Sequence, residues 1–168
     1  MNDQDVRKAI QGNKDAFSTI INEIKEKSYR IAFCYLKNEH DSLDAISNSI
    51  LFSFKYMRKL KNPEYFTTWF TRILINECKK IIKKGHGDVD LSIMENNLIH
   101  EDHYSDTDLI DKVLLLSEHE RMIIYLKYYQ GYTLEEISDI LELPLNTVKS
   151  KLYRSLKQLK EEVEKSGR

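Results

Sequence analysis

Phe17, Ile20, Ile21 and Ile24 follow Asn13 at spacings of three and four, which predicts a helix with one apolar face and an asparagine N-cap. A second helical segment carries Tyr29, Ile31, Ala32, Phe33 and Leu36, and Asn38 to His40 breaks it. Asp41 is expected to open a third helix, running to about Lys59, with Leu43, Ile46, Ile50, Phe54 and Met57 as its stripe. Asn62-Pro63 is a start signal, an N-cap residue followed by proline in the first turn. The helix it opens should reach Lys84, with Phe66, Phe70, Ile73, Leu74 and Ile81 turned to the core. The first half therefore reads as a helical bundle.

Toward the other end, Ser117-Glu118-His119-Glu120 and Thr133-Leu134-Glu135-Glu136 both have the form of a capping box. In each, a hydroxyl and a carboxylate three residues later satisfy orphan amides reciprocally. The first opens a helix expected to end at Gly131, the second a short helix through Ile137 and Ile140. A tight break at Glu142-Leu143-Pro144 precedes a long helix from about Leu145 to Val163. A short helix, a tight turn and a longer basic helix follow the grammar of a helix-turn-helix. Val148, Leu152, Leu156, Leu159 and Val163 make the apolar stripe of the last helix. Asn146, Ser150, Tyr153, Arg154 and Lys157 lie opposite, with Thr147, Lys149 and Lys151 at the flanks.

Composition narrows the class. The chain has 168 residues, 41% hydrophobic and 32% charged, with five glycines and two prolines. This is a globular make-up, too poor in turn residues for a loop-rich all-β chain, and the expected class is all-α. Two cysteines, Cys34 and Cys78, rule out a disulfide framework and fit a reducing compartment. No uncharged apolar run approaches the ~18 residues of a membrane span. The start, Met1-Asn2-Asp3-Gln4-Asp5, lacks the pattern of a secretory signal.

Charge divides the chain. Residues 1–84 hold 16 basic and 10 acidic residues, residues 85–111 hold eight acids and no Lys or Arg, and residues 112–168 hold 10 basic and nine acidic. A one-sign block with few large apolar residues tends to stay solvated. The expected organisation is an N-terminal helical domain over 1–84, an acidic flexible linker over 85–105 and a C-terminal helix-turn-helix domain over 106–168.

Both halves carry residues suited to nucleic acid. Phe52, Phe54, Tyr56, Tyr65, Phe66, Trp69 and Phe70 are interleaved with Lys55, Arg58, Lys59 and Lys61. Aromatic faces with cations suit single strands, although aromatics on helices are commonly core. On the helix from Pro63, Tyr65, Trp69, Arg72, Asn76, Lys79 and Lys83 share one stripe. A solvated basic surface with Trp69 partly buried would show the same pattern. In the last helix, Lys149 to Lys160 holds five positive charges and no negative ones. Arg can read guanine bidentately, Asn and Ser can also meet base edges, and lysines suit phosphates. No Ser/His/Asp cluster, paired catalytic carboxylates or P-loop is discernible, and no cofactor is implied. His86, His100 and His103 lack the partners of a metal site.

Gly131 to Leu159, G-Y-T-L-E-E-I-S-D-I-L-E-L-P-L-N-T-V-K-S-K-L-Y-R-S-L-K-Q-L, resembles the C-terminal promoter-reading domain of bacterial extracytoplasmic-function sigma factors. The stretches Y-R-I-A-F-C-Y-L, D-S-L-D-A-I and T-W-F-T-R-I-L-I-N-E-C-K-K are similar to the N-terminal domain of that group. The order matches, and the resemblance covers nearly the whole chain.

The resemblance implies a protein that binds core RNA polymerase and directs initiation at promoters with −35 and −10 elements. Asp41, Asp44, Ala45, Ser47, Asn48 and Leu51 would face the β′ clamp helices, with the β flap as a further contact. Lys61 and Tyr65 fall in or beside the loop that captures a flipped −10 base, and Trp69, Arg72, Asn76, Lys79, Lys80 and Lys83 on the helix lining −10 DNA. Asn146, Thr147, Lys149, Ser150, Lys151, Arg154 and Lys157 would face −35 DNA. The linker would thread the polymerase cleft. An anti-sigma factor, membrane-anchored, would hold such a protein inactive at the inner face of the membrane until an envelope stress frees it in the cytoplasm.

Leu43, Ser47 and Asn48 stand where the group usually has two acids and an amide, and Glu142 and Asn146 where it commonly has glycine. The competing reading is a stand-alone helix-turn-helix regulator, which would usually dimerise on two-fold sites. An enzyme acting on nucleic acid is the third.

Overall fold

The computed structural model describes residues 2–84, 113 and 116–166. The chain divides into two compact units, Met1–Met94 and Glu95–Arg168. Among the described residues every regular element is helical. The acidic segment 85–105, with His86, His100 and His103, lies outside them.

The first unit contains α1 (Asp3–Ile10), α2 (Lys14–Leu36), α3 (Glu39–Tyr56) and α4 (Phe66–Lys84). Short 3₁₀ turns at Met57–Lys59 and Pro63–Tyr65 lead from α3 into α4. Helix α1 has no counterpart in the apolar pattern, because it contributes only Val6 and Ala9 to the buried set. Its ends are nevertheless well made. Asn2 Oδ1 accepts from the Gln4 amide at 3.0 Å, and Asp3 and Asp5 precede Arg7 and Lys8, which suits the helix dipole.

Helix α2 is one element where two segments were expected. Asn13 caps it, accepting from the Ala16 amide at 2.9 Å. The polar stretch around Lys25 to Ser28 contains no Gly or Pro and does not interrupt it. Ser28 is buried and settles its hydroxyl by donating to the Ile24 carbonyl at 2.7 Å. The helix closes at Lys37, left-handed at φ 56°.

Helix α3 starts two residues earlier than expected, with Asn38 accepting from the Asp41 amide at 2.9 Å. Its buried face also differs. Ser42, Ala45, Ile46, Ser49 and Ser53 point inward, whereas Leu43 and Phe54 of the expected stripe are 48% and 51% exposed. The buried hydroxyls of Ser49 and Ser53 donate to carbonyls one turn back, at 2.6 and 2.7 Å. Such back-bonding satisfies groups that would be costly to bury bare.

The core joins Val6, Phe17, Ile20, Ile24, Met57, Phe66 and Phe70, with Trp69 packed partly against it. Asn62 and Pro63 give the expected start, but as the 3₁₀ turn Pro63–Tyr65 that runs into α4: Asn62 Oδ1 accepts from the Glu64 amide at 3.2 Å. Both cysteines are buried, and neither is in a disulfide.

The second unit contains α5 (Glu118–Ile124), a π-helical turn (Tyr125–Tyr129), α6 (Leu134–Leu141) and α7 (Leu145–Ser166). The helix from Ser117 widens before its expected end, and Tyr125 and Tyr129 stack with centroids 5.4 Å apart. Gly131 follows at φ +73°, the left-handed conformation expected of a residue closing a helix. The second capping box forms fully: the Glu136 amide donates to Thr133 Oγ1 at 3.1 Å, and the Thr133 amide to Glu136 Oε2 at 2.8 Å.

Glu142 is left-handed at φ 58°, where a glycine would be unstrained. Ser138 braces the turn, donating from Oγ to the Leu143 carbonyl at 2.6 Å. Val148, Leu152 and Leu159 bury the inner face of α7. Val163, expected in that stripe, is 45% exposed.

The small inner face of α3 should not tolerate bulk. Ser49→Leu is expected to lower stability by about 1–3 kcal/mol through overpacking, read as a loss of Tm in thermal denaturation. An unchanged Tm would mean that the α3 seam is loose.

Candidate polymerase and nucleic-acid interfaces

Three surfaces collect the residues singled out in the sequence. The first is the outer face of α3. Asp44, Ser47, Asn48 and Leu51 fall at i, i+3, i+4 and i+7 and are exposed, and Asp41 is half-buried at its edge. His40 Nδ1 lies 3.6 Å from Asp44 and 3.9 Å from Asp41. Ala45 does not belong to this face: it is fully buried at 0% exposure and packs in the core, which corrects its expected place in a docking surface. Leu43, Leu51 at 69% exposure and Phe52 give the face an apolar character that the stripe expectation had assigned partly to the interior.

The second surface is the outer side of α4 and the turn before it. Lys61, Tyr65, Arg72, Lys80 and Lys83 are exposed, while Trp69, Asn76 and Lys79 are half-buried. Trp69 leans on Phe66, with ring centroids 6.1 Å apart, so its indole is shared between core and surface. Lys80 is ion-paired with Glu77 at 2.6 Å.

The aromatic-rich run divides cleanly. Phe66 and Phe70 are core, while Phe52, Phe54 and Tyr65 reach solvent. Phe52 and Tyr56 pack with centroids 4.4 Å apart, and Lys55 and Lys59 sit over the Tyr56 ring at 5.4 and 5.0 Å.

The third surface is α7. Asn146, Ser150, Arg154 and Lys157 are exposed along its outer face, and Thr147, Lys149 and Lys151 are half-buried at its flanks, as the helical projection predicts. Tyr153, 67% exposed, lies on this face among the cations. Ser150 Oγ donates back to the Thr147 carbonyl at 3.0 Å. Arg154 is engaged within the unit: its Nε donates to Glu120 Oε1 at 3.0 Å and its Nη2 donates to the same oxygen.

Residues 107–159 match the family described as "Sigma-70, region 4", which takes in all of α5 and α6 and α7 as far as Leu159. Over 159 aligned residues the chain is 34% identical to the RNA polymerase sigma factor SigV of Bacillus subtilis, covering 91% of this chain and 94% of the relative. The ECF RNA polymerase sigma factor SigW of the same organism is 26% identical, with 94% of each chain covered. The chain belongs to the extracytoplasmic-function sigma factors.

Solved structures share its fold. The structure of CnrH in complex with the cytosolic domain of CnrY matches with a TM-score of 0.71 at 16% identity, over 96% of each chain. The sigma factor RpoE of Bartonella quintana, in complex with the anti-sigma factor NepR, matches with a TM-score of 0.71 at 18% identity, over 90% of this chain and 98% of the other.

In this sigma factor, sequence reasoning found Glu120 only as a helix cap. Burial pushes its carboxyl pKa up, but hydrogen bonds from the Ser117 hydroxyl and from Arg154, the Arg154 charge and the Ser117 amide outweigh that and hold it below the usual range. The capping box was legible, because its partners are three residues apart. The ion pair was not, because 34 residues separate Glu120 from Arg154.

Among the described residues no cluster could hold a metal ion, and no helix is long and apolar enough to cross a membrane.

A depressed folded pKa makes Glu120 a source of stability that is present above the unfolded carboxylate value of about 4.3 and lost as pH falls through the folded value. The wild-type chain should therefore melt above Glu120→Gln near neutral pH, and the difference should close as pH drops below about 4. Thermal denaturation of both chains from pH 7 to 3 checks this, and a gap independent of pH would contradict it.

Proposed function

We propose that this sigma factor loads onto core RNA polymerase through the outer face of α3, reads duplex −35 DNA with α7, and holds the −10 strand along α4 as it melts. The domains would follow the charge division, with 1–84 serving polymerase and −10 DNA, 85–105 as linker and 106–168 serving −35 DNA. The carrying observation is the charge of α7: five cations and no acid from Lys149 to Lys160, on its outer face and flanks, on the second helix of a helix-turn-helix in a chain of this family. The contribution is recruitment rather than catalysis. A stand-alone regulator is disfavoured, because the relatives that match along more than nine-tenths of their length are RNA polymerase sigma factors.

Phosphate contacts by Lys149, Lys151 and Lys157 would supply affinity, and Asn146, Thr147, Ser150 and Arg154 would supply base choice. On α4 and the turn before it, Tyr65 and the exposed side of Trp69 offer stacking surfaces, while Lys61, Arg72, Lys79, Lys80 and Lys83 offer charge. The apolar character of α3 supports a protein partner, because Leu43, Leu51 and Phe52 are left unburied by the fold. The β′ clamp helices are the proposed partner there, and the β flap is proposed as a further contact.

Regulation by an anti-sigma factor is supported by the structural relatives, one with the anti-sigma factor NepR and one with the cytosolic domain of CnrY. The proposed site of action is the cytoplasm, with sequestration at the inner membrane face when that factor is membrane-anchored and release under envelope stress.

Two measurements test this reading. Leu51→Ser should leave Tm nearly unchanged, because the residue is exposed, yet weaken assembly with core polymerase and promoter-specific transcription together. Full transcription by this variant, or equal promoter-specific output from core polymerase alone, would overturn the α3 assignment or the sigma reading respectively.

Asn76→Ala should impair open-complex formation more than −35 engagement, seen as lost permanganate reactivity of unpaired thymines near −10. It is the cleaner probe than Trp69→Ala, because Trp69 also supports the core. Unchanged reactivity with normal folding would return the α4 face to a solvated basic surface.

A further inference from the structure

Arg154 is both held and exposed. Its side chain is 66% accessible, while the Glu120 side chain that grips it is only 8% accessible. Nε at 3.0 Å and Nη2 both donate to one oxygen, Oε1. The other carboxylate oxygen, Oε2, accepts from the Ser117 hydroxyl and from the Ser117 amide at 3.2 Å. The carboxylate is thus anchored on one side by the start of α5 and on the other by α7.

A guanidinium has five N–H donors in a rigid plane. Gripping it along the Nε–Nη2 edge leaves Nη1 and the outer hydrogen of Nη2 uncommitted. That remaining pair is the fork that can donate to the O6 and N7 of a guanine.

We propose that Glu120 is a positioning residue for −35 recognition: its buried carboxylate fixes the Arg154 guanidinium so that its Nη1–Nη2 edge is preset for one base. The proposal rests on the −35 reading of α7 given above. Presetting removes rotamer freedom that a long side chain would otherwise lose on binding. It also neutralises the arginine charge locally. Arg154 then contributes direction more than attraction, and the attraction falls to its lysine neighbours. A phosphate contact would instead draw on an uncompensated positive charge and carry no base preference.

The test uses holoenzyme reconstituted from the full chain and core polymerase, competed against duplex −35 variants carrying single base changes, at several salt concentrations. Wild type should prefer one base at one position, and Arg154→Ala should lose that preference by about 10-fold. Glu120→Gln should lose most of the same preference at the same position, while its salt dependence steepens by about one unit because the arginine charge is uncovered. Glutamine also serves in capping boxes, so α5 keeps its cap in this variant. Arg154→Lys, which keeps the charge without the fork, should also lose the preference and separates positioning from folding.

Retention of the full base preference by Glu120→Gln would overturn the proposal and leave the pair as a strut between α5 and α7. Uniformly tighter binding with the preference intact would overturn it in favour of a carboxylate that masks Arg154. If wild type itself showed no base preference and Lys151→Ala left its affinity unchanged, the −35 reading beneath the proposal would fail instead.

Discussion

Helix α3 must bury its smallest side chains, and much of the first unit follows from that. Its inner face is Ser42, Ala45, Ile46, Ser49 and Ser53, so α2 and α4 meet a surface with little bulk. Serines can line such a seam only because their hydroxyls turn back to carbonyls of their own helix, as Ser49 and Ser53 do. Once the small residues are inside, helical geometry forces Leu43, Leu51 and Phe52 outward. Burying a leucine fully yields about 1.5–3 kcal/mol. The fold leaves most of that gain unused at Leu51, where a partner can collect it.

The second unit divides labour differently. Val148, Leu152 and Leu159 hold α7 on its neighbours, and Ser155 fits beneath them with its hydroxyl bonded to the Lys151 carbonyl at 2.8 Å. The turn before α7 accepts a strained left-handed Glu142, braced by Ser138. Strain of this kind persists only where surrounding contacts over-determine the backbone. Here those contacts set how α7 leaves α6, and therefore which of its faces is outward.

Legibility in the sequence followed the range of the interactions. Asn13, Asn62-Pro63 and Thr133 act within one turn, and each start was read where the structure has it. The apolar spacing of α4 and most of α7 also read correctly, because those helices bury large side chains. Pattern reading failed where burial was small or shared. Helix α1 buries two residues, α3 buries serines, and the polar middle of α2 passed for a break. On the candidate site, the α7 face was legible as a projection, Ala45 was misplaced on the α3 docking face, and the Glu120–Arg154 pair joins helices that no local pattern relates.

The cations on the surfaces proposed to face DNA are tempered by their own chain. Lys80 pairs with Glu77, Arg154 with Glu120, Lys157 with Glu161 at 3.8 Å and Lys160 with Glu164 at 3.9 Å. The two pairs near the end of α7 are exposed and weak, so they yield readily to a phosphate. They still lower the field that the free chain presents, and its formal net charge is −1. Non-specific attraction to DNA grows with each uncompensated cation. A factor built this way gains little by wandering onto DNA alone. On the proposed reading, polymerase holds both DNA-reading surfaces on the promoter, and the second contact becomes intramolecular. Weak surfaces would then suffice for promoter choice, since each is engaged only when the other is already held.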